Sequence, residues 1–250
     1  PRVPDDVLRL ANIYRPFNAT AVEPQHVYVL TGAKPDLSPI RDAASLVPVL
    51  AKLREGRDVT IVCWGDSVTA CGESSSPATC YVGLFEAMLK ERFPKAEIRV
   101  INAGIGGSST PGRLKDFQKE VLDFRPDLVT LEFVNDMGLP AEHLRRNYDE
   151  ILTRTRQAGA ALIIQTPHYV MPEWMNLPNG RGADPRPGVA FLRKFTRENN
   201  VPLADASRRW DLLEKMGVPY ETLLRNGINH PEDRGHRIFA EELMRFFPEE

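Results

Sequence analysis

The chain has 250 residues, 42% hydrophobic and 26% charged, and its 32 Lys and Arg against 34 Asp and Glu leave a formal net charge of −2. That length is enough for one large domain, or one domain with an appendage, to bury a core without disulfide or metal staples. The near-neutral balance excludes a basic footprint for nucleic acid or for an anionic membrane surface, and the longest apolar runs, such as residues 158–164, are far too short to span a bilayer.

Residues 1–55 differ in texture from the rest. They are Pro-rich, with one strand-like run, His26 to Leu30, followed by the turn-forming pair Thr31-Gly32. Asp42 to Leu53 then has helical spacing (Ala43, Leu46, Val47, Leu50, Leu53) and ends at Gly56. This segment is expected to be an N-terminal extension packed on a main domain of residues 56–250, or the tail of a preceding domain.

From Arg57 onward short apolar runs alternate with amphipathic ones. The predicted strands are Asp58 to Trp64, Ile98 to Asn102, Leu128 to Phe133, Ala161 to Gln165 and Pro202 to Ala204. All are rich in Val, Ile or Leu, as strands buried on both faces are. The predicted helices are Thr79 to Arg92, Pro111 to Phe124 (with Thr110 as cap), Pro140 to Ala158, Gly188 to Asn199 and about Asp233 to Phe247. This rhythm predicts an α/β fold with a mostly parallel sheet covered by helices on both faces. Met171 to Pro187 reads as a long loop containing Trp174, either functional, as loops of that length usually are, or a floppy surface excursion.

Four polar stretches fall where strands end or helices begin: Gly65-Asp66-Ser67, Asn102 to Gly107, Asn135-Asp136 and Asn229-His230-Pro231. In open α/β sheets ligands bind at the C-terminal strand edge, where all four stretches can meet. Read alone, Asp66 and Ser67 are turn residues, Asn135-Asp136 is a turn, and His230 is a surface or capping histidine. Together they fit acyl transfer: a serine nucleophile, a histidine base, and Gly and Asn donors for an oxyanion. The glycine stretch lacks the lysine of a phosphate-binding loop.

In their order and content these stretches resemble the SGNH (GDSL-type) hydrolases, over about residue 57 to the C-terminus. The resemblance implies a three-layer α/β/α sandwich with a mostly parallel, five-stranded, flavodoxin-like sheet. It makes Ser67 the nucleophile and His230 the base, and it assigns the oxyanion hole to Ser67, Gly107 and Asn135. Phe133 stands where the family usually carries glycine. No metal or organic cofactor is implied. The implied substrate is a small ester or an acetylated carbohydrate. A lipase, lysophospholipase or thioesterase on the same fold is the first alternative, and a non-catalytic carbohydrate-binding protein the second.

One departure stands out. The family's acid lies three residues before the histidine, where this chain has Gly227, preceded by Asn226. A triad acid holds the imidazole tautomer and stabilises its charged form, so Asn226, Asp205 and Asp233 are the candidates for that place. Asp205 also reads as a helix cap. Asp66, His168 and Trp174 are candidates for the substrate pocket, with Asp66 also suited to hold the Ser67 turn, and His236 reads as structural. Cys63 is expected as a buried thiol. Cys71 and Cys80 either pair, which would favour a secreted or periplasmic location, or stand as free thiols.

Overall fold

A computed structural model describes residues 43–177 and 182–248 in full, and residues 11–13 and 27–29 by their backbone. β1 (Ala11–Ile13) and β2 (Val27–Val29) pair antiparallel. His26, Leu30 and the Thr31-Gly32 turn lie outside the described residues. A 3₁₀ turn (Ala44–Leu46) leads into α1 (Val47–Arg54), with a proline in its first turn and the left-handed Gly56 just past its end. Leu46, Val49 and Leu53 are buried in the same apolar cluster as the main sheet.

Five parallel strands form that sheet: β3 (Val59–Gly65), β4 (Ile98–Gly104), β5 (Leu128–Glu132), β6 (Ala161–Thr166) and β7 (Leu203–Asp205), in the order β4-β3-β5-β6-β7. Every predicted strand forms, with ends shifted by at most two residues. Successive side chains alternate between two cores, as a period of two requires. Val59, Ile61 and Cys63 of β3 enter one cluster, while Val62 and Trp64 enter the other.

The first core is closed by α1, α2 (Tyr81–Arg92) and α9 (Asp233–Met244). The second is closed by α5 (Ala141–Gln157) and α7 (Pro187–Asn199). The chain therefore leaves β3 toward one face and β5 toward the other. The crevice between their C-terminal ends is the switch point where such sheets bind ligands.

The predicted helix from Pro111 to Phe124 is not one helix. It is α3 (Thr110–Arg113), a 3₁₀ turn, α4 (Phe117–Glu120) and a second 3₁₀ turn, Leu122–Phe124. Arg113 turns inward to donate to the carbonyls of Gly65 (2.6 Å) and Ala103 (2.9 Å) and pairs with Glu120 at 2.7 Å. Its guanidinium also covers the ring of Trp64 at 5.2 Å. These ties draw the segment onto the sheet edge and break its regular winding. Thr110 is likewise not a cap, because its hydroxyl donates to the carboxylate of Asp136.

The remaining elements surround the C-terminal edge. They are α6 (Pro172–Met175), inside the predicted long loop, and α8 (Ala206–Lys215), which Asp205 caps by accepting from the Arg208 amide. Among the described residues no helix is long and apolar enough to cross a membrane.

The turn after β3 is packed against its neighbours. A Cβ on Gly65 would lie 2.0 Å from Thr69 Oγ1 and 2.3 Å from the Glu132 carbonyl oxygen. Gly65→Ala should therefore cost at least the upper end of the roughly 1–3 kcal/mol typical of overpacking, read as a lower urea midpoint at an unchanged slope.

Candidate active site

Asp66 is fully buried directly behind Ser67. Its Oδ1 accepts from the Val68 amide (3.1 Å) and its Oδ2 from the Asn135 amide (3.2 Å). One carboxylate thus joins the turn after β3 to the 3₁₀ turn after β5 (Val134–Asp136) across the crevice. Asp66 is a support of the site and not a wall of the pocket, which corrects the pocket expectation for it.

Asn102 ties in the β4 loop. Its Nδ2 donates to the Thr69 carbonyl at 2.7 Å, and its Oδ1 accepts from the Gly104 amide at 2.9 Å. The loop then brings Gly106 so close that a Cβ there would stand 3.9 Å from Ser67 Cβ. Gly107 follows with a left-handed φ of +71° and open space around it. The exposed Asn135 donates its Nδ2 to the Ser108 carbonyl at 2.9 Å, so the two loops that carry the expected oxyanion donors are linked.

His230 arrives on a closed turn. Leu224 bridges to Pro231, and the Arg225 amide donates to the His230 carbonyl at 2.9 Å. Gly72 lies between this turn and the serine. Its amide donates to the Ser67 carbonyl at 2.7 Å. A Cβ on Gly72 would meet Ser67 O at 2.8 Å, His230 Cδ2 at 2.9 Å and His230 Nε2 at 3.2 Å. The half-buried Ser67 and His230 therefore both border Gly72, which faces the Ser67 backbone carbonyl and the Cδ2–Nε2 edge of the His230 ring. Partial burial lowers the His230 pKa, and the nearby Glu73 charge opposes that shift.

Cys71 and Cys80 form a disulfide, and Cys63 is a buried free thiol pushed up to about 12 by burial. The bridged loop is pinned to the histidine turn through Ser75, which donates its amide to Asp233 (2.8 Å) and accepts from Arg225 (3.2 Å).

The three candidates for the place behind His230 part company here. Asn226 Nδ2 lies 3.1 Å from His230 Nδ1. Asp233 is engaged by the disulfide loop, whose Ser75 amide lowers its pKa. Asp205 is held by both arms of Arg193 (2.9 and 3.0 Å) and by the Thr166 hydroxyl.

His168 is not on the pocket surface. It is 0% exposed, packs against Trp210 and Phe239, and its Nε2 lies 2.9 Å from the Asn229 carbonyl. Burial drives its pKa well below the ordinary value, so the neutral ring donates to the loop that carries His230. His236 braces the same region, between the Tyr81 amide and the Gly72 carbonyl. Trp174, 61% exposed, does line a cavity of about 450 Å³ beside Asn135, together with Met137, Val170, Met175 and Arg186. A larger hollow of about 860 Å³ lies among the C-terminal ends of α1, α2 and α9, away from Ser67.

Several supports escaped the sequence reading. Arg113 holds the Gly65 carbonyl, and Arg186 donates to the His168 carbonyl at 2.7 Å while paired with Asp184. Glu132 is buried beneath the site, and burial first, then the charges of Asp66 and Asp136, raise its pKa well above the usual range. A charged residue inside an otherwise apolar run was the available signal for Glu132.

A doubly wound parallel sheet with these four loops at its switch point defines an SGNH-type hydrolase, a class of carboxylic ester hydrolases. The chain belongs to the GDSL-like lipase/acylhydrolase family, whose model matches residues 63–238. An acetylxylan esterase of Geobacillus stearothermophilus is 23% identical over 202 residues, 72% of this chain and 90% of that protein. Its namesake structure Axe2, an acetylxylan esterase from the same organism, superposes with a TM-score of 0.63 at 21% identity, covering 77% of this chain and 95% of that one. A two-domain esterase (CEX) active on acetylated mannans gives a TM-score of 0.70 at 23% identity over 83% of this chain. The present chain spans only 53% of that esterase. At such identities the structures establish the shared fold.

Asp136 offers a signed test of the buried acidic cluster. It accepts from the Thr110 amide and hydroxyl and from Tyr148, yet burial outweighs these bonds and raises its pKa from 3.8 to about 6. The folded state thus keeps a proton that the unfolded chain releases between about pH 4 and 6. The resulting stability is complete below pH 4 and is lost as pH rises through 6, on the order of 3 kcal/mol. Asp136→Asn cannot ionise, so its stability deficit relative to wild type should shrink between pH 4.5 and pH 8 in urea titrations.

Proposed function

We propose that the chain is a serine esterase that removes short acyl groups, acetyl foremost, from carbohydrate. Ser67 Oγ attacks the ester carbonyl while His230 Nε2 takes its proton, giving a tetrahedral oxyanion. The Ser67 and Gly107 amides and Asn135 Nδ2 hold that oxyanion, at about 3 kcal/mol per donor in comparable sites. The sugar hydroxyl leaves with the proton from His230, and water then releases the acyl group by the same steps in reverse roles.

The observation that carries this proposal is the placement of Gly72 against both Ser67 and the Nε2 side of His230. Substrate class draws support from the acetylxylan- and acetylmannan-active relatives. The exposed indole of Trp174 beside Asn135 offers a flat apolar face for a sugar ring, and the cavity of about 450 Å³ suits a saccharide with a short acyl group.

Ser67→Ala and His230→Ala should each abolish turnover of p-nitrophenyl acetate and of acetylated xylo- or manno-oligosaccharides while leaving the fold intact by circular dichroism. Unchanged turnover in either variant would refute the mechanism, and a rate that rises with acyl length would refute the substrate class. Trp174→Ala should raise KM for the oligosaccharides far more than for p-nitrophenyl acetate. Because His230 is the base in its neutral form and its pKa is lowered by burial, the acid limb of kcat/KM should have its midpoint below 6.5.

A further inference from the structure

The contacts of Asn226 fix which way its amide faces. Its Oδ1 accepts from three backbone N–H groups, those of Ile228 (2.9 Å), Asn229 (3.0 Å) and His230 (3.2 Å). Exchanging oxygen and nitrogen would set an NH₂ group against three donors, so the network admits one orientation only. The Nδ2 group therefore points the other way, 3.0 Å from Asn229 Oδ1 and 3.1 Å from His230 Nδ1.

A ring nitrogen that faces an N–H must accept. The proton of the neutral imidazole is thereby placed on Nε2, the ring nitrogen that borders Gly72. An Nε2 that already carries a proton cannot take one from Ser67, so turnover runs only through the minor population of rings with Nε2 bare. A carboxylate in the same place would accept from Nδ1–H and leave Nε2 bare.

We propose that Asn226 is a positioning residue that holds His230 in the tautomer opposed to its role as base, so that the site is throttled and Asn226→Asp releases it. This rests on the esterase mechanism above. The other ionisable groups around the ring do not reverse the effect. Glu73 acts on His230 through its charge, which stabilises an imidazolium and does not select between the two neutral tautomers. His168 and His236 are buried with their pKa values lowered, and Asp233 is committed to Ser75.

The magnitude follows from the reverse change elsewhere, where replacing a triad aspartate by asparagine lowers kcat roughly 10⁴-fold through the wrong tautomer. Asn226→Asp should raise kcat by roughly 10²- to 10⁴-fold with KM little changed, and should move the acid limb of the pH profile upward because the new carboxylate stabilises the charged ring. A merely structural asparagine would move neither.

The test uses the full chain labelled with ¹⁵N-histidine, with His230 signals assigned by their loss in His230→Gln. Long-range nitrogen–proton couplings then report which ring nitrogen carries the proton. Wild type should show Nε2–H and Asn226→Asp should show Nδ1–H. Nδ1–H in wild type, or an unchanged tautomer and kcat in Asn226→Asp, would overturn the proposal. If that variant does not fold, the wild-type spectrum decides alone. Should Ser67→Ala retain full turnover, the esterase mechanism falls instead, which separates the two failures.

Discussion

The site hangs on the buried carboxylate of Asp66. It is the single group that accepts from the amides of both Val68 and Asn135, and so it sets the spacing between the serine turn and the asparagine turn. Burial raises its pKa to about 6 against the opposing pull of those amides, and Asp136 adds a smaller upward push. Glu132, Asp66 and Asp136 together place three carboxyl groups under one loop cluster. Such a cluster is tolerable only because Glu132 stays protonated and the other two are bonded to backbone amides, hydroxyls or both.

Around that link the two loops that meet at Gly72 are held by unlike means. The serine-side loop runs through Cys71 and Glu73, both left-handed at φ +68° and +63°, conformations that cost non-glycine residues on the order of 1–3 kcal/mol each. The Cys71–Cys80 bridge and the Ser75 contacts to Asp233 and Arg225 oppose that cost. The histidine side needs no strained residue of that kind at its ring, since the Leu224–Pro231 bridge and the Asn226 amide close the turn. Buried His168 and His236 brace these loops as neutral donors, which is why His168, a candidate for the pocket, is not at the surface.

Asn226, next to the position where the family carries its acid, differs from a carboxylate in electrostatics more than in shape. Three backbone amides converge on Asn226 Oδ1 as they would on a carboxylate oxygen, so the turn keeps its form. What changes is the sign of the partner offered to His230 Nδ1, a donor where an acceptor would be. Charge near the ring comes instead from Glu73.

Much of this molecule was legible in its residues. Five short Val-, Ile- and Leu-rich runs separated by amphipathic segments dictate a parallel sheet buried on both faces, because only alternating crossovers can cover both sides. That the stretches carrying Ser67, Gly107, Asn135 and His230 belong to one edge of the sheet was legible through motif order, and their chemical roles are the proposal made above. Local pattern could not reveal what depends on contacts between distant segments. The breaking of the 111–124 helix is caused by Arg113 reaching carbonyls on β3 and β4. The burial of His168 is caused by Trp210 and Phe239, which lie 42 and 71 residues away. The fates of Asp205 and Asp233 were decided by Arg193 and Ser75. The sequence by itself determined the fold class and the set of chemical groups at one sheet edge, since periodicity and turn chemistry are local. Only the tertiary structure decided which of those groups touch and which way Asn226 faces, because a hydrogen bond's direction is set by partners that come together only when the chain has folded.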